Sequence, residues 1–271
     1  MTEIAFYQID AFTDRAFTGN PAAVCPMPAF LSDRTMQAIA AENNLAETAF
    51  IVRRGAGNYD LRWFTPTVEI EICGHATLAS AYVVFNHLEP DLSKVRFETR
   101  SGTMAVTREA DGKLCLDFPN YKPAPFPCPE GLGAAMGAEP DTVLKSDEGD
   151  RDLLLVYGSA ADIAALVPDQ LALRAFAPYG FIATAPGDGD ADFVSRCFFP
   201  NHGIPEDPVT GSAHCVSAPY WADRLGKTQF FARQVSLRGG DLWLEVGASR
   251  VKMAGFAVEV IRGSLHLPEK I

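Results

Sequence analysis

EICGHATLASA, residues 71–81, has a near-copy in the second half of the chain: EDPVTGSAHCVSA, residues 206–218. Both contain G-x-A-x-x-x-S-A, at 74–81 and 211–218. The residue ahead of the glycine is Cys73 in the first and Thr210 in the second. Two further pairs flank this one. Arg62-Trp-Phe-Thr-Pro66 matches Arg196-Cys-Phe-Phe-Pro200 as R-x-F-x-P, and RSGTMAV (100–106) matches RGGDLWL (238–244) around an arginine and a glycine. The offsets are 134, 137 and 138, taken in the same order along 271 residues. One match is chance; three at nearly constant spacing are a duplication. The second copy has three extra residues between its first two anchors, assigned to the PED region that carries Asp207.

Each copy reads the same way. A strand ends in a proline turn, a glycine opens a small-residue helix (75–86 and 212–225), and alternating strands with short turns follow as antiparallel hairpins. Pro219 falls inside the second helix, where it removes one N–H donor and is expected to kink the helix. Residues 35–44 read as an amphipathic helix and 48–53 as a strand. Between the copies, FPNYKPAPFPCPEGLGAAMGAEP is too rich in proline for a central strand and marks a crossing between lobes. Its GLGAAM lacks a preceding strand and ends in Met, so it is a helix after a connection, not a dinucleotide fingerprint.

Composition sets bounds. Hydrophobic residues make up 48% and charged residues 21%, as in an ordinary globular protein. The net charge of −11, with no run of Lys or Arg, speaks against a nucleic-acid surface. The start lacks a basic, apolar leader and no segment has a membrane-spanning run, which predicts a cytoplasmic protein without membrane contact. The six cysteines form no C-x-x-C pair and the five histidines no zinc spacing, so neither metal nor cofactor is expected.

The first turn of a helix leaves N–H groups unpartnered and carries partial positive charge. Two glycine-opened helices related by duplication can therefore hold a small anion, a carboxylate for instance, even in an acidic protein. Gly74, His75, Gly211 and Ser212 are the candidates at these starts, with Cys73 and Thr210 just ahead of them.

GNPAAV (19–24), LAETAF (45–50), RWFTP, CGHATLASA, EDPVTGSAH and SLRGGDLWLEV together resemble the phenazine-biosynthesis PhzF-like family, from residue 4 to about residue 260. The resemblance implies the diaminopimelate epimerase-like fold: α+β, two pseudo-symmetric lobes, each a curved, mostly antiparallel sheet or barrel around a central helix. It places the lobes at 1–118 and 119–271, with the last strand free to return to the first lobe, and the active site between them. It also implies a homodimer and a small carboxylate-bearing substrate.

In two-thiol epimerases of this fold a cysteine precedes the glycine in each copy. Here only Cys73 does, and the hydroxyl of Thr210 is a poor proton carrier at neutral pH. The PhzF-like pattern instead implies Glu47, of L-x-E-T, as the acid–base group, with His75 and Asp207 beside it. The expected activity is a cofactor-independent isomerisation, a proton moved between carbons by Glu47. The alternatives are an epimerase or racemase pairing Cys73 with Glu47, and a ligand-binding member without turnover.

Overall fold

Small and apolar side chains fill residues 74–83, and all of them except Gly74 and Tyr82 are buried. A helix buried on every side needs walls on every side, and the strands around it supply them. The computed structural model describes residues 2–146 and 152–267. In chain order they form β1 (Thr2–Ala11), β2 (Asn20–Met27), α1 (Asp33–Asn43), β3 (Glu47–Gly55), β4 (Asn58–Phe64), β5 (Glu69–Ile70), α2 (Gly74–Val83), β6 (Lys94–Thr99), β7 (Gly102–Arg108) and β8 (Leu114–Pro119). Next come β9 (Ala124–Pro125), α3 (Leu132–Met136), β10 (Thr142–Lys145), β11 (Asp152–Val156), α4 (Ala160–Ala165), α5 (Gln170–Leu173), β12 (Gly180–Pro186), β13 (Phe193–Phe199), β14 (Ile204–Asp207) and α6 (Gly211–Leu225). The described chain closes with β15 (Gln229–Gln234), β16 (Gly240–Val246), β17 (Arg250–Gly255) and β18 (Ala257–Leu267).

Two units result. The first runs to Asp117 and takes back the chain from Ala254 on; the second is Phe118–Met253. In the first, β1 lies antiparallel to β2 and to the returning β18, which pairs from Ala11↔Ala257 to Thr2↔Leu267. Strands β2 and β3 are parallel, β3 and β4 antiparallel, and β4 and β6 parallel. Helix α2 packs on β1, β2, β3, β7 and β18, which makes it the centre of the unit. Helix α1 covers an outer face: Met36, Ile39 and Ala40 pack with Cys25, Phe50, Val52 and Phe64. Ser32 caps α1 by accepting the N–H of Thr35, and Asn44 ends it in the left-handed region. Helix α2 runs on into a π-helical turn, Val84–Leu88, past the end predicted at residue 86.

The second unit repeats the plan. Strands β11 and β12 are parallel, β12 and β13 antiparallel, and β13 and β15 parallel. Helix α6 is buried over Ala213–Pro219 and continues unbroken through Pro219. Proline cannot give an N–H to the carbonyl of Cys215, four residues back. That carbonyl accepts the N–H of Tyr121 instead, at 2.9 Å. The crossing segment contributes only the short β9, paired with β10, and GLGAAM supplies α3.

The duplicated arginines do the same work in both units. Arg62 forks onto Glu69 (Nε to Oε1 and Nη2 to Oε2, both 2.7 Å), and Arg196 forks onto Glu206 (2.7 and 2.9 Å). Strand register agrees, since Trp63 lies opposite Ile70 and Cys197 opposite Asp207. Glu206 is therefore the counterpart of Glu69, and Asp207 of Ile70. The three-residue insertion consequently lies upstream of Glu206, around the 3-10 turn Pro200–His202. This corrects the assignment of Asp207 to the insertion: matching letters leaves the gap free to slide, and counting strand rungs does not.

Candidate active site

Glu47 is the first residue of β3, level with Ala22 on the parallel strand β2, and Asn20 is the first residue of β2. The approach to Asn20 requires a glycine. Gly19 has φ +68°, and a Cβ there would stand 2.3 Å from the carbonyl oxygen of Ala11. Cys73 precedes α2 with extended backbone, and no side chain caps the helix. His75, in the first turn of α2, points inward.

These side chains meet below the surface. Glu47 is 6% exposed, His75 5%, Cys73 7% and Asn20 0%. His75 Nε2 lies 2.8 Å from Glu47 Oε2. On the far side of the ring, His75 Nδ1 faces Asn20 Nδ2 at 3.3 Å and Cys73 Sγ at 3.5 Å. Glu47 Oε2 and His75 Nε2 approach closely, yet neither makes an aligned hydrogen bond. A buried polar atom left that way costs about 1–3 kcal/mol. Such sites are where a ligand finds unused hydrogen-bonding capacity.

The charges follow from the geometry. Burial opposes a charged His75, while Cys73 and Glu47 beside it favour one, and the balance lies well above the usual histidine range. Burial raises the Cys73 thiol, and the Glu47 charge raises it further. The Cys73 thiol therefore stays protonated at neutral pH. Ligand atoms of Glu47, Cys73 and His75 lie within 4.8 Å of one another, an O, S and N set of a kind that binds zinc. The ring stands between thiol and carboxylate, however, with a different nitrogen toward each. That is the arrangement of a proton relay more than of a chelate.

The matching region of the second unit is built differently. Asp207 is 8% exposed and accepts the Thr210 hydroxyl at 2.5 Å. Gln234 is fully buried and pins this turn: its Oε1 accepts the Thr210 N–H at 2.8 Å, and its Nε2 donates to the Asp207 carbonyl at 2.8 Å. No side chain caps α6, as none caps α2, and Ser212 in its first turn is exposed. His214 Nδ1 donates to the Thr210 carbonyl, as the Thr77 hydroxyl does to that of Cys73. Burial holds His214 down to about 4, so it remains neutral.

Of the predicted residues, Glu47, Cys73, Gly74 and His75 gather at one helix start, and Asp207, Thr210, Gly211 and Ser212 at the other. Sequence reasoning passed over Asn20, Gln234 and His214. The signal for Asn20 was present in GNPAAV, a polar residue locked between glycine and proline at a strand start. Gln234 ends an ordinary alternating strand and gives no such sign.

The profile of phenazine biosynthesis-like proteins, PhzC-PhzF, matches residues 9–263. An uncharacterized isomerase of Pseudomonas aeruginosa is 50% identical over 265 residues, covering 98% of this chain and 100% of that protein. A crystal structure of a PhzF-family protein from Enterococcus faecalis has a TM-score of 0.93 at 43% identity, covering 98% of this chain and 100% of that one. A hydroxyproline epimerase of Agrobacterium vitis, at 10% identity, covers 99% of this chain and 94% of its own with a TM-score of 0.62, a likeness of fold alone. Fold and relatives together define an enzyme of the isomerase class on an epimerase-like fold. The chain belongs to the phenazine biosynthesis-like family.

Proposed function

We propose that the protein moves a proton between two carbons of a small carboxylate-bearing metabolite, with Glu47 as the acid–base group. One observation carries this reading: Glu47 and His75 face each other at 2.8 Å, both buried, each with a polar atom outside any hydrogen bond. In this reading Glu47 takes a proton from carbon and returns it elsewhere, and His75 balances the charge on the carboxylate as it does so. The uncapped starts of α2, with Gly74, and of α6, with Gly211 and Ser212, each offer main-chain N–H groups, and Ser212 a hydroxyl, suited to a substrate carboxylate. In the second unit Asp207, held by Thr210, offers a buried carboxylate suited to a polar substituent. Cys73 lines the site as a neutral thiol.

The chemistry is one-sided, and that favours one base over two. Register makes Gly180 the counterpart of Glu47: Phe50 lies opposite Arg62 as Ala183 lies opposite Arg196, three residues further on in each case. The counterparts of Cys73 and His75 are Thr210 and Ser212. At these three positions the second unit thus has Gly180, Thr210 and Ser212, and its buried carboxylate, Asp207, stands at a different position. Inversion by a matched pair of bases needs one on each side.

The test is deuterium incorporation in D2O across a panel of cyclic and α-amino carboxylates, followed by proton NMR. The expected result is uptake with the wild type, retention in Cys73→Ser and loss in Glu47→Gln. Uptake undiminished in Glu47→Gln would remove Glu47 as the base.

A further inference from the structure

Asn20 is wholly buried, in a motif the function above does not use, and its amide nitrogen lies 3.3 Å from His75 Nδ1. What an imidazole needs at Nδ1 depends on where its hydrogens sit. Neutral with its hydrogen on Nε2, the ring presents a lone pair at Nδ1 and needs a donor there. As imidazolium it presents Nδ1–H and needs an acceptor. A primary amide satisfies both, NH2 in one orientation and carbonyl in the other. Asn20 Nδ2 is the amide atom that faces Nδ1, which suits a neutral ring carrying its hydrogen on Nε2, the edge facing Glu47. Cys73 Sγ is the other neighbour of Nδ1, at 3.5 Å, and as a neutral thiol it is a weak donor and a weak acceptor.

We propose that Asn20 is a positioning residue that holds His75 with Nε2 toward Glu47 and keeps the neutral ring's hydrogen on that nitrogen. The proposal rests on the acid–base reading of Glu47 for its catalytic meaning, but the proton's place on the ring can be measured without a substrate. The backbone supports the assignment. Asn20 lies opposite Ala11 in the β1–β2 register, and Gly19 before it admits no side chain. Phe12 and Phe17 in the preceding loop have φ of +61° and +69°. Bulky residues in that region cost about 1–3 kcal/mol each and persist where the surroundings demand a particular chain path. The titratable groups facing the ring are Glu47 from β3 and Cys73 from the start of α2. Asn20, from β2, is uncharged.

The experiment is nitrogen-15 NMR of the His75 ring across pH, in wild type, Asn20→Ala, Asn20→Asp and Cys73→Ser. As pH rises, the wild type and Cys73→Ser are expected to pass from the doubly protonated ring to a neutral form carrying its hydrogen on Nε2 alone. Asn20→Ala is expected to show both neutral tautomers. Asn20→Asp, an acceptor only, keeps the ring doubly protonated to a pH at least one unit higher. With the exchanging substrate in hand, kcat for deuterium uptake falls roughly tenfold or more in Asn20→Ala with KM little changed. His75 titrating identically in wild type and both Asn20 variants, folded by circular dichroism, would overturn the proposal. So would tautomers that shift in Cys73→Ser as much as in Asn20→Ala. If the ring responds as expected while Glu47→Gln keeps full exchange, Asn20 positions His75 and it is the role of Glu47 that fails.

Discussion

Ile70 and Asp207 occupy the same place in the two halves. Each lies opposite the residue that follows a forked arginine, Trp63 in the first unit and Cys197 in the second. Duplication followed by divergence has thus set a buried carboxylate at a strand end where its twin keeps an apolar side chain. The twin keeps an isoleucine at that rung, half-buried where Asp207 is buried.

Asp207→Ile is therefore expected to fold and to lose activity. The Thr210 hydroxyl forfeits its acceptor, worth about 1 kcal/mol. The melting temperature should fall by a few degrees while deuterium exchange drops far more. Full exchange in a folded Asp207→Ile protein would take Asp207 out of the chemistry.

The two arginine forks are alike in geometry and unequal in support. Arg100 also reaches Glu69, at 2.7 Å, so Glu69 keeps a cation when Arg62 is removed. Arg196 is the neighbour of Glu206 and also donates to the carbonyls of Ile163 (3.1 Å) and Leu166 (2.9 Å). Arg196→Ala should cost roughly 2–4 kcal/mol and Arg62→Ala clearly less. Urea unfolding of the two variants side by side measures the difference; equal losses would contradict it.

Acid sensitivity should trace in part to Glu89. Its carboxylate accepts the Tyr59 hydroxyl at 2.7 Å, the Arg53 guanidinium at 3.1 and 3.2 Å and the Gly57 N–H at 3.2 Å. The Arg53 hydrogen bond, against the opposing effect of burial, brings Glu89 down to about 2. A carboxyl depressed in the folded state contributes stability above its unfolded value, near 4.5, and loses it as pH falls toward 2. Arg53 is largely exposed, so solvent screening limits the contribution to about 1–2 kcal/mol. Stability curves of wild type and Glu89→Gln should converge between pH 4.5 and 2; parallel curves would exclude this source.

Thiol reactivity should be ordered by burial. Cys128 is exposed and Cys115 half-buried, while Cys25, Cys73, Cys197 and Cys215 are buried. Burial alone pushes Cys25 up to about 12, and burial pushes Cys215 to about 12 against the weaker opposing pull of Arg250. Mass spectrometry after brief iodoacetamide treatment at neutral pH should find Cys128 modified first and Cys73 slowly, with exchange activity retained. Rapid labelling of Cys73 would mean a thiolate in the site, and would favour pairing it with Glu47.

Much of the fold was legible because duplication leaves a mark that periodicity alone does not. R-x-F-x-P and the two glycine-opened helices located the central helices within a residue or two of their observed starts. Glu47 and His75 could be singled out because each sits in a short distinctive motif. What stayed hidden depends on partners distant in sequence. Gln234 reaches Thr210 from 24 residues away, and Asn20 reaches His75 from 55. The site of the three-residue insertion was hidden for another reason: only strand pairing, not residue identity, fixes where extra residues go.

Pro219 does the opposite of what its reputation suggests. A proline in mid-helix is usually counted as damage, a missing rung with a hole beside it. Here the vacated rung is occupied: the carbonyl of Cys215 receives the amide of Tyr121, a main-chain weld between the central rod and the segment entering the second unit. Alanine at 219 would restore a competing donor inside the rod and loosen that weld. A helix breaker has become the docking point for the incoming chain.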